Sequence, residues 1–184
     1  MIIKDKLVLN NLYLRSLSTS DCSEKYLNWL NNPEINKYLE TRFVVQNIEM
    51  IKSFVTNIND SIDSYLFGIF ADDIHIGNIK IGPIHPLYKF ADISYFIGEK
   101  EYWGKGYATL AIKIVTEFGF TKLNLNRIQA GVHGNNIGSH KVLQKCGYVK
   151  EAVFRKKIFY GNENNKNWDD HLFFGILKED YKLT

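Results

Sequence analysis

The stretch from Phe90 to Phe118 constrains the fold most, because its apolar period changes from two to about 3.6 across a turn holding two glycines. In Phe90–Ile97, Ala91, Ile93, Tyr95 and Ile97 fall on one side of an extended chain, and Asp92, Ser94 and Phe96 on the other. Further on, Tyr107, Ala111, Ile114, Val115 and Phe118 recur at helical spacing. Between the two lies Glu101-Tyr-Trp-Gly-Lys-Gly-Tyr-Ala-Thr109. Gly104 and Gly106 permit backbone conformations that are costly for other residues and leave their amides uncovered. Together with the unpaired N–H groups and dipole of the first helical turn, they form an anion site, and Lys105 adds a full charge. A pyrophosphate suits such a site.

Two other phosphate-binding patterns do not fit. A P-loop requires GxxxxGK[ST], which is absent. A dinucleotide fingerprint requires GxGxxG, but Thr109 stands at the third glycine and no acid ends a following strand in the expected way. Taken alone, the segment is equally compatible with two glycines that merely shape a turn.

The remaining pattern predicts a mixed sheet with helices on both faces. Residues 6–15 carry strand-like apolar runs around Asn10-Asn11. Thr19-Ser20-Asp21 offers caps for a helix with Cys22, Tyr26, Trp29 and Leu30 on one stripe, ended by Asn31-Asn32-Pro33. A second helix is expected over 47–58. Tyr65–Ala71 and Ile74–Ile81 flank Asp72-Asp73, a hairpin signal. After the long helix come a strand over Arg127–His133, a short helix over Gly138–Cys146, and strands over 148–159 and 170–178. With 184 residues, one domain spanning 1–184 is the expectation.

Charge and composition exclude several classes. A net charge of +3, with lysines scattered among acids, lacks the basic stripe of a nucleic-acid binder. No apolar run is long enough for a membrane span, and no leader is recognisable, so a cytoplasmic protein is expected. Cys22 and Cys146 belong to no CxxC pair and stand near no histidine cluster, so reduced thiols are expected and no metal.

A second segment narrows the reading: Asn135-Asn-Ile-Gly-Ser-His-Lys-Val-Leu-Gln-Lys-Cys-Gly-Tyr148. Together the two segments resemble motifs A and B of the GNAT superfamily of acetyl-CoA-dependent N-acetyltransferases. Gly104 and Gly106 match (Q/R)-x-x-G-x-(G/A), and Asn136, Ser139, Lys145, Gly147 and Tyr148 match N-x-x-(S/A) followed by x-K-x-G-(F/Y). Leu7–Leu17, Trp29-Leu-Asn-Asn-Pro-Glu34 and Asp170–Leu177 extend the likeness to the Rim-type branch, named for ribosomal-protein N-terminal acetyltransferases. One departure is Glu101, which replaces the usual Gln or Arg and is expected to face solvent.

The resemblance implies a mixed, mostly antiparallel sheet of six to seven strands, splayed at its central parallel pair, with acetyl-CoA as co-substrate and no metal. It implies cofactor contacts from the backbone of Phe96, Ile97 and Gly98, from Trp103 through Thr109 (Trp103, Gly104, Lys105, Gly106, Tyr107, Ala108, Thr109), and from Asn136 and Ser139. Asn136 reads equally as an ordinary helix cap. An amine must lose a proton before it attacks. By register with the family Asp92 is the first candidate base, and the Rim-type likeness makes Asp170 the second; His133, at the end of a strand, is the third and reads also as a local hydrogen-bonding residue. The tyrosine that many relatives carry in motif B is Leu143 here, leaving Ser139, water or substrate to meet the departing thiolate. Acceptor residues are expected in Trp29, Asn32, Glu34, Tyr38, Tyr160 and Trp168. The likeness favours a nucleotide-linked amino sugar; a protein N-terminus, a polyamine or antibiotic, and a non-catalytic CoA-binding module are the alternatives. The implied partner is a small-molecule amine, not nucleic acid or membrane, and a homodimer is compatible with it.

Overall fold

A computed structural model describes residues 1–160 and 167–181. The sheet is built from β1 (Leu7–Leu9), β2 (Leu12–Ser16), β3 (Tyr65–Ala71), β4 (Ile74–His85), β5 (Phe90–Ile97), β6 (Arg127–His133), β7 (Val149–Phe159) and β8 (Trp168–Leu177). Its order is β1-β2-β3-β4-β5-β6-β8-β7, and only β5 and β6 run parallel. This is the expected α/β GNAT architecture. Among the described residues it has eight strands because Asn10-Asn11 is itself a turn, with Asn10 at φ 56°, that splits the first apolar run into the β1–β2 hairpin. Asp72 and Asp73, at φ 49° and 63°, form the second hairpin as expected. β4 runs past Ile81 to His85 through a bulge between Ile81 and Ile84.

The helices are α1 (Glu24–Asn31), α2 (Pro33–Asn36), α3 (Ile48–Asp60), α4 (Tyr107–Thr121) and α5 (Ile137–Lys145). Short caps set their starts. Ser23 accepts from the Tyr26 amide, Asn32 from Glu34, and Asn47 from Met50. Capping at Ser23 corrects the expected start of α1: Cys22 lies before the helix, and Asp21 is engaged by Arg15 at 2.6 and 2.9 Å. Cys146 is the residue just after α5, not within it.

Strand alternation divides the core in two. On one face Ile93, Ala130 and Phe174 pack with Ala111, Ile112 and Val115 of α4 and Leu143 of α5. On the other, Leu66 and Phe96 meet Tyr26, Trp29 and Leu30 of α1 and Ile51 and Val55 of α3. Both cysteines are buried free thiols. Among the described residues no helix is long and apolar enough to cross a membrane, and no cluster of three metal-ligating side chains occurs.

Candidate active site

The parallel pair fails after three residues. Phe90, Ala91 and Asp92 pair with Arg127, Ile128 and Gln129, and beyond them the ladder stops. β5 continues along β4 to Ile97, while β6 continues along β8 to His133. The two strands diverge because each is held by its outer neighbour, and a wedge opens through the sheet. A cavity of about 1440 Å³ fills it, lined by Ile93–Ile97 on one side and Ala130–His133 on the other.

One end of the cavity reaches the glycine turn. Gly104 and Gly106 have φ of 70° and 90°, the left-handed region that disfavours a side chain. A Cβ at either would meet nothing within 4 Å, so the space above these amides is open and the glycines answer to backbone conformation rather than crowding. Gly106 caps α4, whose first intrahelical bond runs from Leu110 N to Gly106 O, leaving the amides of Tyr107, Ala108 and Thr109 without helical partners. Trp103, Gly104, Gly106, Tyr107, Ala108 and Thr109 line the cavity. This cradle of bare amides at a helix N-terminus fits a diphosphate. Glu101 is exposed and outside the lining, as its charge demands. Lys105, between the two glycines, carries its ammonium 5.9 Å from the ring centroid of Tyr102, which lines the cavity.

The free backbone on β5 is offset by one residue from expectation. Gly98 donates its N–H to Ile76 O, and a Cβ there would overlap the Trp29 ring, so Gly98 is closed off. Phe96 shares its register: a Cβ on Gly77 would strike the Phe96 carbonyl oxygen, which therefore points at β4. Groups alternate along an antiparallel ladder, so Tyr95 and Ile97 turn their N–H and C=O into the wedge. The indole N–H of Trp103 donates to Ile97 O at 2.8 Å, consistent with that direction. Phe96 still lines the cavity through its ring.

Across the wedge, Asn136 caps α5, accepting from Ser139 N at 3.2 Å, and also lines the cavity. Ser139 Oγ meets Tyr95 Oη at 2.5 Å. Burial pushes the Tyr95 phenol well above its ordinary range. Leu143 is fully buried in the core.

The other end opens on the face covered by α1 to α3. Glu34, Lys37, Tyr38, Glu40, Lys80, His133 and His171 line it. Tyr38 donates to Asn135 O at 2.9 Å and stacks on Tyr160, ring centroids 6.1 Å apart. Tyr160 supports that wall from behind. Three expected acceptor residues lie elsewhere. Trp29 is 3% exposed, wedged among Tyr26, His75 and Phe96, with its indole N–H on Glu99 at 2.8 Å. Asn32 caps α2, and Trp168 packs on Phe159 away from the cavity.

Both carboxylates expected as bases are also displaced. Asp92 sits on the last paired rung, accepting from Gln129 Nε2 at 3.2 Å, short of the wedge. Asp170 accepts from Lys156 N at 2.8 Å and holds a bulge of β7. The adjacent Asp169, on the opposite face by strand alternation, is the buried acid, with its Oδ2 3.6 Å from His133 Nδ1. Burial, with Arg42 nearby, lowers the His133 pKa against the pull of Asp169.

Comparison with known proteins agrees with this geometry. The family model described as an acetyltransferase (GNAT) domain matches residues 11–149. YjcK of Bacillus subtilis, a probable N-acetyltransferase, is 39% identical over 121 residues, covering 64% of each chain; the match thus spans less than two thirds of that relative. YnaD of the same organism, an uncharacterised N-acetyltransferase, is 31% identical over 175 residues, covering 92% of this chain and 95% of its own. A spermidine N-acetyltransferase from Vibrio cholerae, solved with CoA and spermine, superposes with a TM-score of 0.81 at 23% identity over 92% of this chain and 97% of that one. The ribosomal-protein-S5-alanine acetyltransferase of Vibrio fischeri gives 0.81 at 22% identity over 98% and 100%, a likeness of fold. A splayed parallel pair ending on an amide cradle, matched by that family model over most of its length, places this chain in the GNAT acetyltransferase family.

Proposed function

We propose that residues 1–184 act as one domain that transfers the acetyl group of acetyl-CoA to the primary amine of an acceptor carrying its own negative charge, an amino sugar linked to a nucleotide being the favoured class. The single observation that carries acetyl transfer is the wedge between β5 and β6, which joins the amide cradle to a chamber on the opposite face of the sheet. Acetyl-CoA, when bound, supplies an activated acyl carbon and a thiolate leaving group. The chain's own residues do the rest. The amides at the start of α4 hold phosphate charge. The outward N–H groups of Tyr95 and Ile97 are placed to pair with amides of an extended ligand arm and to polarise a carbonyl in the wedge. Ser139, bonded to Tyr95, offers a hydroxyl to the developing thiolate, and the buried phenol stays protonated at neutral pH.

Charge in the chamber supports an acceptor with a negative group. Among the described residues its acids are paired, Glu34 with Lys100 and Glu40 with Arg42, whereas Lys37 and Lys80 also line it. A polyamine is held best by carboxylates free of such pairs, so the charge of this chamber favours an acceptor that is not a polycation. Thiol release from acetyl-CoA, measured against amino-sugar nucleotides, N-terminal peptides and polyamines, tests the reading. Turnover of nucleotide-linked amino sugars is expected; turnover of polyamines alone would reject the acceptor class, and failure to bind CoA would reject the whole.

A further inference from the structure

Resting on that reading of acetyl transfer, we propose that His133, oriented by Asp169 and flanked by His171, is the base that deprotonates the acceptor amine. His133 is the last residue of β6, at the point where the wedge meets the acceptor chamber, and His171 of β8 is its register partner. The ring of His171 lies over bare Gly131, where any Cβ would strike it, so the glycine makes room for the second imidazole at the wall of the wedge. Among the described residues the Nδ1 atoms of both histidines are buried without a hydrogen-bond partner. Buried polar atoms are rarely left so, and both residues line the cavity.

The surroundings set the state of the ring. Asp169 is held in turn by the amides of Asn135 at 3.0 Å and Asp170 at 2.9 Å. Its Oδ2, 3.6 Å from His133 Nδ1, favours a proton on that nitrogen and leaves the lone pair on Nε2. Tyr38 packs on the ring at 5.4 Å and Tyr160 at 6.2 Å between centroids. The charged and titratable groups around the pair are Asp169 and Glu40, which favour a cation, and Arg42 and Lys157, which oppose it. Burial dominates, so both imidazoles are neutral at pH values where a free amine is an ammonium ion. Neither Asp92 nor Asp170 reaches this chamber.

The protons balance. One passes from the acceptor ammonium to His133 Nε2; the freed nitrogen lone pair forms the C–N bond as the C–S bond breaks. The second proton lost from nitrogen equals the one the thiolate gains, and the imidazolium returns its proton to solvent. The products are one amide, one thiol and one released proton.

Three measurements test this. For the native chain, kcat/KM should fall on the acid side as His133 protonates; His133→Gln should lose roughly 10²-fold in kcat and also lose that acid limb, with CoA affinity retained. His133→Ala should regain turnover with added imidazole, which a packing role would not produce. Ring-proton NMR of the protein without substrates, assigned with His133→Gln and His171→Gln, should show His133 titrating below 6.5, independent of any activity. An acid limb that survives in His133→Gln, or a His133 ring titrating at or above 6.5, overturns His133 as base and leaves acetyl transfer standing. A native chain that binds acetyl-CoA and acetylates no amine overturns the acetyl-transfer reading itself, and the base falls with it.

Discussion

Tyr95 and Ser139 bring two hydroxyls to 2.5 Å across the wedge, one from the strand that diverges and the other from the first turn of α5. The contact joins the two sides of the gap, in a chain whose motif B carries Leu143 in place of a phenol. Tyr95→Phe should lower kcat by roughly 10²-fold through loss of this donor, with the KM for acetyl-CoA nearly unchanged. Ser139→Ala should match it, and the double variant should be no worse than either single one, since both belong to one chain of hydrogen bonds. Steady-state thiol release measures all three. Full activity in Tyr95→Phe would remove the pair from the chemistry.

Gly106 takes φ 90° with open space beyond it, so an alanine there strains only the backbone. Gly106→Ala should cost about 1–2 kcal/mol if the turn is kept. If the turn relaxes instead, the cradle distorts and CoA affinity falls. Calorimetric titration with CoA together with a melting curve separates the two, and a variant unaltered in both would show that the left-handed turn is not needed.

Asp92 lies on the last closed rung of the parallel pair, and its carboxylate is bonded to Gln129 outside the cavity. Asp92→Asn should therefore leave turnover at neutral pH within about threefold of the native rate, far below the 10²-fold or more that loss of a general base produces. A loss of that size would restore Asp92 as the base and count against His133.

Trp29 and Gly98 are fitted to one another: the indole occupies the space a Cβ at 98 would take. Trp29→Ala should destabilise the fold by about 3–5 kcal/mol, and Gly98→Ala by about 1–3 kcal/mol from overpacking. Urea unfolding reads both. The KM for the acceptor should not change in Gly98→Ala, and a large rise would return Trp29 to the acceptor site.

Burial lowers the pKa values of His75, His133 and His171 below their ordinary 6.5. In the unfolded chain these rings take up protons near 6.5, while in the fold they resist, so the unfolded state binds more protons as the medium becomes acidic. Stability is complete above that value and declines as pH falls through it toward the lower folded values. Asp21, held below its ordinary range by Arg15, adds a further loss at more acidic pH. The urea midpoint should drop between about pH 7.5 and about pH 5.5. A flat midpoint would contradict the buried neutral rings.

Much of the fold was written in local pattern. Phe90–Ile97 and Arg127–His133 appear at the bounds their alternation predicts, because strand period depends only on which residues face the core. The glycine turn was legible for the same reason: positive φ at Gly104 and Gly106 is a property of the residue type. The acceptor chamber was legible only in part, at Glu34 and Tyr38, since its other members come from β4, β6, β8 and the segment after α2, and no local spacing records which of them meet. Tertiary register alone decided that Tyr95 rather than Phe96 turns its backbone into the wedge, and that Asp169 rather than Asp170 faces His133. In an extended strand neighbouring residues point to opposite faces, so one position of register separates a group at the reacting centre from one that only holds a bulge.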